Sequence, residues 1–181
     1  DIDTAMESWV THEFDESWNQ GDWQLTLSNA GHIPGAGMLN VATESKNILF
    51  TGDFDTRNSP LTSGAKPIKS DILFIEGTYG GRNHANQQEE LKRFIENIVR
   101  VTDKGGTVLI PAFANGRTQD MLMRLHQNCP ELDVHVDGMG KRISKLYLEN
   151  SRFIRDPRAL NDAWNWSKRV SSKSDRKKAL D

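Results

Sequence analysis

The spacing of apolar residues changes midway along this 181-residue chain, and that change limits the folds open to it. In the first half the period is that of strands. Trp23-Gln24-Leu25-Thr26-Leu27-Ser28 alternates apolar and polar, as a half-buried strand does. Met38 to Ala42 alternates again, Asn47 to Thr51 reads as a strand ending at Gly52-Asp53, and the more apolar Ile72-Leu73-Phe74-Ile75 ends at Glu76-Gly77. The stretch from Gly31 to Gly37 carries three glycines and a proline and is predicted to be a loop. After residue 86 the period becomes helical. Asn86-Gln87-Gln88-Glu89 has the form of a capping box, and Leu91, Phe94, Ile95, Ile98 and Val99 then fall on one helix face until Gly105-Gly106. Thr107 to Ile110 is expected to be a buried strand, Thr118 to Gln127 a helix packing Leu122 and Leu125, Asp133 to Val136 a strand, and Gly138 to Leu148 a helix. Hairpin-like strands followed by strands alternating with helices predict an α/β fold in two parts, residues 1–84 and 85–181, with the junction in the zone 80–86.

The two ends are less regular. Residues 1–20 mix acids with Met6, Trp9, Val10, Phe14 and Trp18 and are expected to form a helix with one apolar side. Residues 168–178 are rich in Lys, Arg and Ser and read as a helix or a mobile end. The net charge of −2 gives no global field for nucleic acid, so any such contact would need a local patch. With a mean hydropathy of −0.64 and no apolar run near the roughly 20 residues that cross a bilayer, no membrane partner is expected. One cysteine, Cys129, excludes an internal disulfide and a Cys-based zinc site, and it suits a reducing cytoplasmic setting.

His32 and Asp53 are the first candidates for chemistry, because each follows a strand end where loops place side chains over a sheet edge. An imidazole nitrogen and a carboxylate oxygen are a common ligand pair for catalytic zinc. Read alone, each is also ordinary turn chemistry. Gly116-Arg117 opens a helix after the expected strand, so backbone N–H groups and a guanidinium could hold a phosphate, or the Arg could simply be solvated. His84 could touch substrate or cap the helix that starts near residue 86. The basic run Lys168, Arg169, Lys173, Arg176, Lys177, Lys178 could meet an RNA backbone or form a solvated face, and Trp164 and Trp166 could stack bases or fill a core. His12, His126 and His135 are expected to be structural or surface residues, and Tyr79 a packing residue.

Four motifs in order alter the weight of these signals. They are Ala30-Gly31-His32-Ile33-Pro34-Gly35, Phe50-Thr51-Gly52-Asp53-Phe54, Glu76-Gly77-Thr78-Tyr79-Gly80 and Pro111-Ala112-Phe113-Ala114-Asn115-Gly116-Arg117. Together they resemble the β-CASP branch of the metallo-β-lactamase superfamily, which includes archaeal and eukaryotic pre-mRNA cleavage factors, RNase J and the Artemis-like DNA nucleases. Asp133-Val134-His135-Val136-Asp137-Gly138-Met139 is similar to the archaeal cleavage-factor relatives. The resemblance covers roughly residues 20 to 148. It implies part of a metallo-β-lactamase αββα layer over 1–84, followed by the first half of a β-CASP α/β domain over 85–181.

It further implies that His32 matches the third metal motif and Asp53 the fourth, whose Asp bridges two zinc ions. Glu76 would match the acid motif beside the metals, supporting a histidine that protonates the leaving oxygen. Gly116, Arg117 and His84 would lie on the substrate side. The implied activity is zinc-dependent hydrolysis of RNA phosphodiester bonds, of the transcript 3′-end processing type. RNA is the implied partner, with a homodimer or an RNA-processing complex both left open. The departures are also informative. The motif His-x-His-x-Asp-His is absent and is expected to precede residue 1, and two later β-CASP histidine motifs are expected to follow residue 181. Ala36 and Gly77 stand where relatives often carry small hydroxyl residues. With two ligands this stretch is expected to hold metal weakly or not at all, and to show exposed sheet edges. Two alternatives come from other classes: a non-catalytic β-CASP scaffold subunit, and an Artemis-like DNA nuclease, in which the acid motif carries Asp where this chain has Glu76.

Overall fold

In the computed structural model, which describes residues 2–180, the chain divides into two compact units. One runs through Arg57 and includes Gly64–Glu76, and the other comprises Asn58–Ser63 and the chain from Gly77 onward. The fold is α/β.

The first unit is a five-stranded sheet in sequential order: β1 (Ser17–Gln20), β2 (Trp23–Asn29), β3 (Gly37–Ala42), β4 (Asn47–Phe50) and β5 (Ile72–Phe74). The first four run antiparallel, with Leu27 opposite Leu39 and Val41 opposite Ile48. β5 joins β4 in parallel, so the chain from Thr51 to Asp71 must cross over to bring it back. The strands read from the sequence form here, although burial along β2 and β3 does not strictly alternate. Met38 and Leu49 point into a small core with Ala30 and Ala65, onto which Ala36, Phe54 and Ile68 pack. β5 is an edge strand whose side chains all stay exposed, Ile72 at 43% and Phe74 at 55%, with Phe74 stacked on Phe50 at 4.6 Å. The expected helix over 1–20 is shorter than anticipated: α1 spans Ile2–Glu7, and Asp1 lies outside the described residues. The turn at Gly21-Asp22 folds residues 17–20 back on β2 as β1, where the Ser17 and Thr26 hydroxyls meet at 2.7 Å. Trp18 finds its apolar cover locally, stacked on His12 at 3.8 Å.

The second unit is mainly helical, with α2 (Gln87–Thr102), α3 (Arg117–Asn128), α4 (Gly140–Glu149), α5 (Pro157–Trp166) and α6 (Lys173–Leu180). The Asn86 side chain caps α2 by accepting from the Gln88 and Glu89 amides, and Glu89 Oε1 accepts from Asn86 Nδ2 at 3.3 Å. Leu122 and Met123 of α3, Tyr147 of α4, and Leu160, Ala163 and Trp164 of α5 form one core with Leu61, Val136 and Ile154. Trp164 thus serves packing, while the Trp166 indole donates to the Pro130 carbonyl at 2.8 Å and lies beside His126. The expected strand over Asp133–Val136 contracts to β6 (His135–Val136), paired in parallel with β7 (Lys168–Arg169). Thr107 to Ile110 was expected to be a buried strand and is not one: it has no ladder partner among the described residues, and Leu109 is 84% exposed. An apolar run becomes a strand only when a neighbour takes its N–H and C=O groups. Within residues 168–178 the structure gives a short strand followed by a helix.

Candidate metal centre and phosphate-facing turn

Two loops of the first unit build the donor pair. His32 lies on the connection between β2 and β3, whose flanks Ala30 and Ala36 are tied by a hydrogen bond from the Ala30 amide to the Ala36 carbonyl (2.8 Å) and packed into the small core. Asp53 lies on the crossover after β4, and its neighbour Phe54 packs on the same core. The two loops are laced together. The Asp55 amide donates to the Ala30 carbonyl (2.9 Å), and the Ala65 amide donates to Asp55 (2.8 Å). Gly31 makes this approach possible: it sits at φ +71°, and a Cβ there would fall 2.3 Å from the Asp55 carbonyl oxygen. The result brings His32 Nε2 to 4.0 Å from Asp53 Oδ2, with both side chains open to solvent.

That separation fits a shared ion. Two donors each about 2.0–2.1 Å from zinc are about 3.4 Å apart in a tetrahedral shell, so a small side-chain movement would close the pair on one metal. Glu76 is linked to the same place through Thr51. The Thr51 amide donates to the Phe74 carbonyl (3.0 Å), and the buried Thr51 hydroxyl accepts from the Glu76 amide (3.3 Å). The structure therefore brings His32, Asp53 and Glu76 onto the same end of one sheet. No group of three or more His, Cys, Asp or Glu placed to hold a metal occurs among the described residues.

The remaining candidates belong to the second unit. His84 does not cap α2, since Asn86 does; its ring lies 3.9 Å from that of Tyr79, with the Arg82 guanidinium 5.5 Å from the Tyr79 centroid. Gly116 is the N-cap of α3 at φ +81°, and the exposed Arg117 is the first residue of that helix. Two N-terminal donors of α3 are already used: the Arg117 amide on the Asn115 carbonyl (3.0 Å) and the Thr118 amide on the Phe113 carbonyl (3.0 Å). Any anion here would rely chiefly on the guanidinium. Sequence reasoning missed the side chains beneath this turn. Gln119 is fully buried, and its Nε2 lies within hydrogen-bond reach of the Ala114 carbonyl (3.1 Å), the Gly140 carbonyl (3.2 Å) and Ser144 Oγ (2.9 Å). The Tyr147 hydroxyl donates to Asn115 Oδ1. Burial pushes that phenol up to about 12, so it stays a donor throughout the neutral range.

Three residues of the basic run are engaged within its own unit. Lys168 pairs with Asp133 at 2.7 Å, Arg176 with Asp137 at 2.5 Å, and Arg169 donates to the Trp164 and Ser167 carbonyls. The side chain of Lys178 lies outside the described residues. A cavity of about 850 Å³ in this unit, edged by Gln88, Leu91, Arg124 and Arg155, contains none of the candidates named from the sequence. No helix among the described residues is long and apolar enough to cross a membrane.

The fold is that of an α/β chain in which His32 and Asp53 approach each other at one sheet end. No protein-family model matches the chain. Among curated proteins it is similar to RNase aCSPSF2 of Saccharolobus solfataricus, at 30% identity over 182 residues, covering 99% of this chain and 37% of that protein. It is also similar to Probable RNase MJ4 of Methanocaldococcus jannaschii, at 32% over 186 residues, covering 100% and 44%. A third relative is Cleavage and polyadenylation specificity factor subunit 3 of Dictyostelium discoideum, at 35% over 129 residues, covering 70% and 17%. The chain belongs to the β-CASP branch of the metallo-β-lactamase superfamily. It spans about two fifths of the length of the first two relatives.

Proposed function

We propose that this chain is part of a zinc-dependent ribonuclease that hydrolyses RNA phosphodiester bonds in transcript 3′-end processing. The observation that carries the reading is the approach of His32 to Asp53 at 4.0 Å on two interlaced loops, with Glu76 tied to the same sheet end through Thr51. Residues 1–84 would be the segment of the metallo-β-lactamase domain and residues 85–181 the β-CASP segment. His32 and Asp53 hold the metal. When bound, zinc activates a water and neutralises the charge that develops on the phosphate. Asp53 and Glu76 are the catalytic carboxylates, Glu76 supporting proton delivery to the leaving oxygen. On the substrate side Arg117 steadies a phosphate from a turn that needs Gly116, and His84 faces the strand with Tyr79. The names of the relatives favour RNA and membership of an RNA-processing complex, and a homodimer is the other assembly to test. Cytoplasmic residence is supported by Cys129, a free thiol that is fully buried.

The test uses the natural full-length protein beside its Asp53→Ala variant, with zinc content and cleavage of labelled RNA and DNA both recorded. About two zinc ions per chain and RNA cleavage that disappears in the variant is the expected result. Cleavage of DNA in place of RNA would move the chain to the Artemis-like nucleases. The short donor set among the described residues favours one other reading, a non-catalytic scaffold subunit. Absence of zinc and of any cleavage in the full-length protein would establish it.

A further inference from the structure

The α3 entrance is built in an unusual way. Its first turn buries an amide, Gln119, where a leucine would cost less, because an interior polar group is tolerated only if hydrogen-bonded. All the recorded bonds of that amide go to the backbone that shapes the turn and to the start of α4, and its Oε1 is buried without a partner. Tyr147, 7% exposed, spends its hydroxyl on Asn115, two residues before Arg117. The Thr118 hydroxyl and amide both return to the Phe113 carbonyl, and a Cβ on Gly140 would sit 2.8 Å from Thr118. The turn from Phe113 to Gly116 is thus held on its inner side by α3 and α4, while Arg117 itself is exposed and forms no ion pair among the described residues.

We propose that Tyr147 and Gln119 are positioning residues for Arg117, fixing the turn from which its guanidinium meets an RNA phosphate. The inference rests on the reading of Arg117 given above. A guanidinium on a floating turn must be ordered when the anion arrives, whereas one on a fixed turn is pre-organised, and binding is correspondingly tighter.

A double-mutant cycle on RNA affinity tests this in the full-length protein, in an Asp53→Ala background so that a labelled unstructured oligonucleotide is bound and not cut. Removing one neutral hydrogen bond by Tyr147→Phe is expected to weaken binding roughly two- to ten-fold. In an Arg117→Ala background the same change should add nothing. Asn115→Ala breaks the bond from its exposed side, so it should repeat the effect even if Tyr147→Phe disturbs the core. Unchanged affinity in both variants, or losses that simply add to that of Arg117→Ala, would overturn the positioning role. If the full-length protein cuts RNA in an Asp53-dependent way and the cycle is additive, only the positioning inference fails. If it neither binds nor cuts RNA, the functional reading fails with it.

Discussion

The two units hold their candidate residues by opposite means. In the first, His32 and Asp53 are aimed by main chain: interlaced loop hydrogen bonds and the Gly31 close approach, over a core of only Ala30, Met38, Leu49 and Ala65. In the second, Arg117 is aimed by two buried side chains, Gln119 and Tyr147, the latter part of a large core including Leu160 and Trp164. Backbone lacing leaves imidazole and carboxylate free to take a metal. Side-chain bracing suits a single exposed cation that has only to stay in place. The first arrangement should be sensitive to backbone substitutions, the second to core volume and buried polarity.

The largest effect that would sharpen this contrast is expected from Leu160→Ala, which opens a cavity at a fully buried position of the second core. It should cost about 2–5 kcal/mol, read from chemical denaturation, and hydrogen exchange should speed up in α3 and α5. Unchanged protection there would show that the core does not hold the second unit together. Next comes Gly31→Ala. The φ of +71° alone should cost about 1–3 kcal/mol, with the overlap against Asp55 in addition. Zinc affinity should fall more than stability does, because the His32–Asp53 spacing opens. Equal zinc affinity in this variant would break the comparison. The smallest effect concerns Asp137, whose carboxyl the Arg176 guanidinium, with help from the Gly138 amide, holds down to about 2. Because the folded value lies below the ordinary one near 3.9, the pair stabilises the fold above about pH 4, and that contribution is lost as pH falls towards 2. An NMR titration of Asp137 should show this, and Arg176→Ala should return the midpoint towards the ordinary range.

Local signals were legible where the physics is local. The Asn86 capping box, the glycine-rich loop around His32 and the strands β2, β3 and β4 all stand in the sequence and in the structure. Asp156-Pro157 also announced a helix, with a cap followed by a first-turn proline, and was passed over. What failed was non-local. Thr107–Ile110 has the composition of a strand but has no neighbour to pair with among the described residues, and Ser17–Gln20 looked helical until β2 offered it an edge. The closeness of His32 to Asp53 came from matching ordered motifs, since 21 positions of sequence separation say nothing of a 4.0 Å approach. Gln119 and Tyr147 carried no signal, because an amide or phenol at a helical position reads as surface or packing until its partners are seen.

The ion pairs that fasten the Lys168–Arg176 stretch to Asp133 and Asp137 bear on how this protein would respond to ionic strength. A strand of RNA gains affinity largely by shedding the condensed counterions it loses to each lysine or arginine it meets, about 0.7 of an ion per phosphate for single strands. A lysine or arginine already matched to an aspartate brings no net charge, so it liberates few ions when a phosphate comes near. Lys168 and Arg176 should therefore add little to the salt dependence of RNA binding, whatever the basic composition around them. The salt sensitivity of binding would come instead from cations without acidic neighbours, Arg117 foremost among them.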